Sequence, residues 1–253
     1  MEHKNDESIN YEELIKKCES GDNDVIRQIL NIVIINDDKK AVGKIHKLVK
    51  DKSDIYCMTI KGFISCDIRT MYVPPFEIFE EVIKHNYPHG YAGLSMCYSY
   101  QNKIDKAIEM ATIACEMGSE FGHFYLGDVY SEYFGDDKDD IAIKHFEIAY
   151  SMGVIKASMY LYYVCKKSKN IDIIAKGFGY LMKYLESGID NSASKYYTED
   201  YYKREKSIYE YVNAKNKEIS DLKEEIKLLK KLKKMDVATK GESMIISEAM
   251  DYL

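Results

Sequence analysis

Residues 122–153 read GHFYLGDVYSEYFGDDKDDIAIKHFEIAYSMG. Two periodic apolar segments flank a polar turn, GDDKDD, and the stretch ends on glycine. Leu126 and Tyr130 stand at i and i+4, which puts them on one face of a helix. Ala142 opens the second segment, and Gly153 closes it eleven residues later.

The same Ala-to-Gly block occurs on both sides of this stretch. Ala107, Ala142 and Gly177 are 35 residues apart, and so are Gly118, Gly153 and Gly188. The blocks read KAIEMATIACEMG, IAIKHFEIAYSMG and KGFGYLMKYLESG. A leucine precedes each block: Leu94, Leu126 and Leu161. Tyr98, Tyr130 and Cys165 follow these leucines by four. Leu94 lies 13 residues before Ala107, whereas Leu126 and Leu161 lie 16 before their partners. The difference falls in the inter-helix turn, where insertions are tolerated.

A repeat of this period predicts stacked helix pairs, each burying a face against its neighbours. The spacing predicts glycine stops at the left-handed position after each second helix. It also predicts caps at Asp105, at Asp139 or Asp140, and at Asp172. The column Ala107/Ala142/Gly177 is small because helices approach to ~8–10 Å only where the crossing side chains are small. Upstream, Ile55–Phe63 followed by PPFEIFEEVIKHN reads as another pair, with Pro75 in the first helical turn and Asn86 as its stop. Residues 24–35 and 39–51 read as one more pair around Ala41 and Ile45. Residues 8–19 read as a first helix ending at Gly21. No strand-like alternation interrupts the series, so the expected fold is all-α.

The pattern resembles the Sel1-like repeat, a relative of the tetratricopeptide repeat. The resembling residues are Leu94, Tyr98, Ala107, Ala114 and Gly118, then Leu126, Gly127, Tyr130, Ala142, Ala149 and Gly153. The third copy departs at Tyr162 and Tyr184, where the family has small residues. The resemblance covers residues 90–190 and implies a right-handed α/α solenoid of helix-turn-helix repeats. It implies a degenerate N-terminal portion, residues 1–89, and a concave groove lined by the first helix of each pair. That groove strip would consist of Ala92, Met96, Ser99 and Tyr100, then Phe124, Asp128, Ser131 and Glu132, then Met159, Tyr163, Lys166 and Lys167. Tyrosine and methionine there suit a peptide-binding surface, because they give large contact area with little entropy loss.

Residues 196–235 form a different segment, expected as a long charged C-terminal helix. No Gly or Pro occurs from Tyr201 to Lys234, and residues 203–234 carry 11 Lys/Arg against 6 Asp/Glu. Ile219, Leu222, Ile226 and Leu229 follow a 3-4-3 spacing, a short heptad seam that Lys215 interrupts. The segment either folds back as a cap, filling the groove, or pairs with a second copy in a coiled coil. Residues 236–253 read as a tail.

Composition limits the function. The 253 residues are 46% hydrophobic, enough for a continuous core, and the net charge of -6 argues against a polybasic nucleic-acid binder. No apolar run approaches the ~20 residues of a membrane span, and MEHKNDES does not begin a signal peptide. The six cysteines show no C-x-x-C pair and read as reduced thiols in a cytoplasmic compartment. Only Arg27, Arg69 and Arg204 are arginine, and Lys, Ile, Asp and Tyr are abundant. This usage accompanies A/T-rich codons, as in some giant DNA viruses.

Catalytic and ligand motifs are not found. There is no P-loop and no G-x-S-x-G elbow, and Gly177-Phe178-Gly179 lacks the third glycine of a dinucleotide loop. Pro88 separates His85 from His89, so these two and Cys97 do not share a helix face. The six histidines otherwise lie far apart in sequence. Asp136, Asp137, Asp139 and Asp140 lack the Gly and Glu of a calcium loop. No catalytic residue, cofactor or metal is expected. The reading is a non-catalytic scaffold that binds a protein or peptide partner through the concave face. The alternative is a self-assembling structural subunit that associates through residues 201–234.

Overall fold

A computed structural model describes residues 9–35, 39–66, 75–168 and 170–186, and twelve helical positions between Ser207 and Lys227. The chain divides into two units, Met1–Lys203 and Arg204–Leu253. Among the described residues of the first unit every regular element is helical. They are α1 (Tyr11–Glu19), α2 (Asn23–Ile35), α3 (Lys39–Val49), α4 (Ile55–Ser65), α5 (Phe76–Lys84) and α6 (Pro88–Tyr100), then α7 (Ile104–Glu116), α8 (Glu120–Tyr133), α9 (Asp139–Ser151), α10 (Lys156–Lys166) and α11 (Ile171–Glu186). No helix among these residues is long and apolar enough to cross a membrane.

The tightest pairings are the hairpins α6–α7, α8–α9 and α10–α11, and each hairpin then packs on the next. The small-residue column lies at these crossings. Ala107 and Ala142 are fully buried, and a Cβ on Gly177 would sit 2.6 Å from Cys165 Cβ. Gly127 serves the same purpose, since a Cβ there would meet the Phe146 ring at 2.9 Å.

The hairpin ends share one backbone device. Gly118 and Gly153 take φ of +83° and +98°. Around Gly118, its own N–H donates to Cys115 O and that of Ser119 donates to Ala114 O, both at 2.9 Å. Val154 and Gly153 repeat the arrangement on Ala149 and Tyr150. This is the Schellman closure, which satisfies the last carbonyls of a helix. Asn102 (φ +58°) makes the same turn between α6 and α7, and Asn86 (φ +54°) closes α5. Gly188 lies outside the described residues.

The aspartates do not cap as expected. The N-cap positions of α7 and α9 are Lys103 and Lys138, so Asp105, Asp139 and Asp140 stand inside the first turn. Asp172 donates its own N–H to Asn170 Oδ1 at 2.9 Å, so Asn170 caps α11. The left-handed turn at Asn102 sets the start of α7, a 3-10 turn over Gly135–Lys138 leads directly into α9, and the Asn170 side chain sets the start of α11. The carboxylates still favour the positive helix end. Pro75 likewise sits at the N-cap of α5 rather than inside its first turn.

The largest departure from a nearest-neighbour stack is α2. It barely touches α3, packs on α4, and reaches α10. Asn31, only 6% exposed, donates from Nδ2 to Gly153 O at 2.8 Å. The Ile155 N–H donates to Asn31 Oδ1 at 3.1 Å, and Lys156 Nζ donates to Ile34 O at 2.7 Å. The Arg27 side chain lies against Gly153. Residues 24–35 and 39–51 are therefore helices but not a hairpin like those that follow. The run Ile29–Ile35 is apolar on more than one side because α2 is packed from more than one direction.

In the second unit Tyr211 and Leu222 are exposed. Ile208, Val212, Ile219, Ile226, Leu229 and the tail 236–253 lie outside the described residues.

Candidate binding face

The first helices of the hairpins, α6, α8 and α10, carry eleven of the twelve residues of the anticipated groove strip, and Lys167 follows α10 as its C-cap. Four of them are core. Ala92, Met96, Ser99 and Phe124 are all at most 7% exposed. Phe124 packs its ring on Phe146 of α9 at 5.8 Å and on Tyr160 of α10 at 5.1 Å. The Ser99 carbonyl accepts from the Tyr133 hydroxyl at 2.9 Å. The groove expectation fails at these positions because α6 and α8 are buried almost all round, as helices with apolar or small residues on every side must be.

The other eight remain at or near the surface. Tyr100 and Tyr163 are 46% and 38% exposed. Glu132, Lys166 and Lys167 are exposed, while Asp128, Ser131 and Met159 are half-buried. Lys166 Nζ is directed back to the Tyr162 hydroxyl at 2.8 Å.

Asp128 is the centre of what gathers there. Burial and the neighbouring Glu132 carboxylate push its carboxyl up to about 7, against a smaller opposing effect of Lys156. Its charge and that of Glu132 in turn help raise the phenols of Tyr100 and Tyr160, and Asp128 also acts on Tyr125, in each case behind the effect of burial. Three successive first helices thus bring phenols to a pair of carboxyl groups. The sequence reading named Tyr100, Asp128 and Glu132 but missed Tyr125 and Tyr160. Both stand one residue before the repeat leucine, a column that Gly93 fills in the first copy.

Two histidine clusters lie elsewhere. His89 Nδ1 is 2.8 Å from Ser119 Oγ, and His89 Nε2 is 3.9 Å from a Glu120 oxygen. This resembles a nucleophile–base–acid arrangement, but its atoms serve the fold. Ser119 is fully buried, and its Oγ caps α8 by accepting from Gly122 N–H at 3.1 Å. Burial, aided by Arg27, lowers His89 to about 4, so it is neutral at pH 7. No substrate reaches a hydroxyl in this position.

The second cluster joins residues that are distant in sequence. His123 Nδ1 and His145 Nδ1 are 3.0 Å apart, and Cys115 Sγ is within 4.8 Å of both. A further group, Glu19, Asp54 and Cys57, is already committed. Glu19 pairs with Lys52, and Asp54 caps α4 through Cys57 N–H. All six cysteines are free thiols and only Cys115 is not buried.

No protein-family model matches the chain, and comparison with curated proteins likewise gives no match.

Proposed function

We propose that this chain is a non-catalytic interaction scaffold. Its hairpins form a right-handed solenoid of Sel1-like repeats, and the face made by α6, α8 and α10 binds a segment of a protein partner that carries a basic side chain. The observation behind this reading is the grouping of the exposed Tyr100 and the half-buried Tyr160 about the half-buried Asp128 and the exposed Glu132, with Tyr125 buried in the core beside them. Phenols give amphipathic contact area and attract cations over their rings. A cation docked here also restores the ionised form of Asp128. The free thiols favour a reducing, cytoplasmic setting.

A peptide array scored for Lys and Arg content, followed by titration into the full chain, tests the proposal. Basic peptides are expected to bind the parent chain. Glu132→Lys and Tyr100→Ala are expected to weaken that binding by at least ~10-fold. Equal binding by the parent and both variants would overturn it.

A second reading, self-association through residues 201–234, draws on the exposure of Leu222, at 56%. Light scattering that shows a monomer at high concentration would remove that reading.

A further inference from the structure

Cys115 stands in the last turn of α7, His123 in the first turn of α8 and His145 in the middle of α9. The α7–α8 junction holds the first two rigidly. The Schellman turn at Gly118 fixes the chain direction, and Gly122 admits a backbone approach so close that a Cβ there would lie 2.7 Å from Cys115 N. The α8–α9 hairpin, pinned at Gly127 against Phe146, brings in His145. The Tyr130 ring lies parallel to the His145 imidazole at 6.5 Å and backs it. All three ligand candidates are half-buried.

The two Nδ1 atoms face each other at 3.0 Å. Two imidazole lone pairs cannot point at one another without something between them, either a proton or a cation. Tetrahedral zinc has Zn–N distances of about 2.0–2.1 Å and a Zn–S distance of about 2.3 Å. These place two ligand nitrogens ~3.3 Å apart and a nitrogen and sulfur ~3.6 Å apart, so only small side-chain adjustments separate the observed cluster from that geometry.

We propose that Cys115, His123 and His145 form a zinc-type transition-metal site, with three protein ligands and a fourth position open to water or to a partner's side chain. Burial lowers both imidazoles from the ordinary histidine range. The Cys115 thiol is held up at about 12 by burial and by Glu116. On binding, the metal–sulfur bond replaces the S–H bond and the proton passes to solvent. The exposed Lys144 also acts on His145 and opposes the bound cation. A soft thiolate with two imidazoles suits Zn(II) or Co(II) over Mg(II) or Ca(II).

The test is a Co(II) titration of the full chain under a non-thiol reductant. The expected result is one equivalent of tetrahedral cobalt, with visible d–d bands and a near-ultraviolet sulfur-to-cobalt charge-transfer band, displaced by Zn(II). Cys115→Ser is expected to abolish the charge-transfer band. His123→Gln and His145→Gln are each expected to weaken binding by more than ~100-fold. Zn(II) is also expected to slow iodoacetamide modification of Cys115 in the unaltered chain by at least ~10-fold, a readout that needs no variant to fold. Octahedral cobalt without charge transfer, or Cys115 alkylation at an unchanged rate under zinc, would overturn the proposal.

Discussion

Replacing Asn31 tests whether α2 is a structural member of the hairpin stack or a loosely attached neighbour. Its amide makes two hydrogen bonds to backbone groups more than 120 residues away, with Gly153 O at 2.8 Å and Ile155 N at 3.1 Å. Asn31→Ala removes both bonds and leaves a carbonyl and an N–H unpaired. At about 1 kcal/mol net per bond, plus the penalty on the orphaned groups, the loss is about 2–4 kcal/mol. For a chain of this size that lowers Tm by roughly 5–15 °C. Urea denaturation gives the free energy directly, provided the slope m is unchanged. Asn31→Asp sharpens the test. The new carboxylate still accepts from Ile155 N–H but sets one oxygen against the Gly153 carbonyl with no proton between them. Its folded pKa must therefore lie above the unfolded value of about 3.9. The penalty is absent below that value, grows as pH rises through it, and is partly relieved on acidification. A change below ~0.5 kcal/mol in both variants, or no pH dependence in the second, would refute the docking of α2.

Other perturbations probe the packing and the surroundings of Asp128. Gly93→Ala would place a Cβ 2.2 Å from the Phe79 ring, which is fully buried, and the overpacking is expected to cost about 1–3 kcal/mol by urea denaturation. Gly43→Ala meets nothing within 4 Å in the interior of α3 and is expected to stabilise by about 0.5–1 kcal/mol in the same assay. Ala142→Trp, at a fully buried hairpin crossing, is expected to abolish cooperative melting or lower Tm by more than 10 °C, roughly. Asp128 has a folded pKa raised to about 7, so the parent loses stability as pH rises from about 4 to 7. Asp128→Asn removes that loss, and the variant-minus-parent stability should therefore increase over this window and level off above it.

Much of the helical stack was legible because its signals are local and repeated. Gly118 and Gly153 announce left-handed turns, and Ala107, Ala142 and Gly177 announce close crossings. Each residue type at those positions answers a backbone requirement that recurs with the period. The caps were misplaced because the connecting turns set the helix starts: the left-handed Asn102 before α7, the 3-10 turn Gly135–Lys138 before α9, and Asn170 before α11. The position of α2 left almost no trace, since Asn31 is satisfied by main-chain groups of the Gly153–Ile155 turn, and any residue type supplies those. The candidate face was half legible. Tyr100, Asp128 and Glu132 followed from the repeat register, but Ala92, Met96, Ser99 and Phe124 were assigned to a surface that neighbouring helices cover. Cys115, His123 and His145 were invisible as a group, because they sit on three helices and meet only once the hairpin register is fixed.

The most direct measurement is a nuclear Overhauser spectrum of the isotopically labelled full chain. A cross-peak between the Asn31 side-chain amide and the Ile155 backbone amide is expected, alongside contacts from Gly127 to the Phe146 ring. If the Gly127–Phe146 contacts appear but the Asn31–Ile155 cross-peak does not, the hairpins stand without α2, and the packing described for the first unit is contradicted.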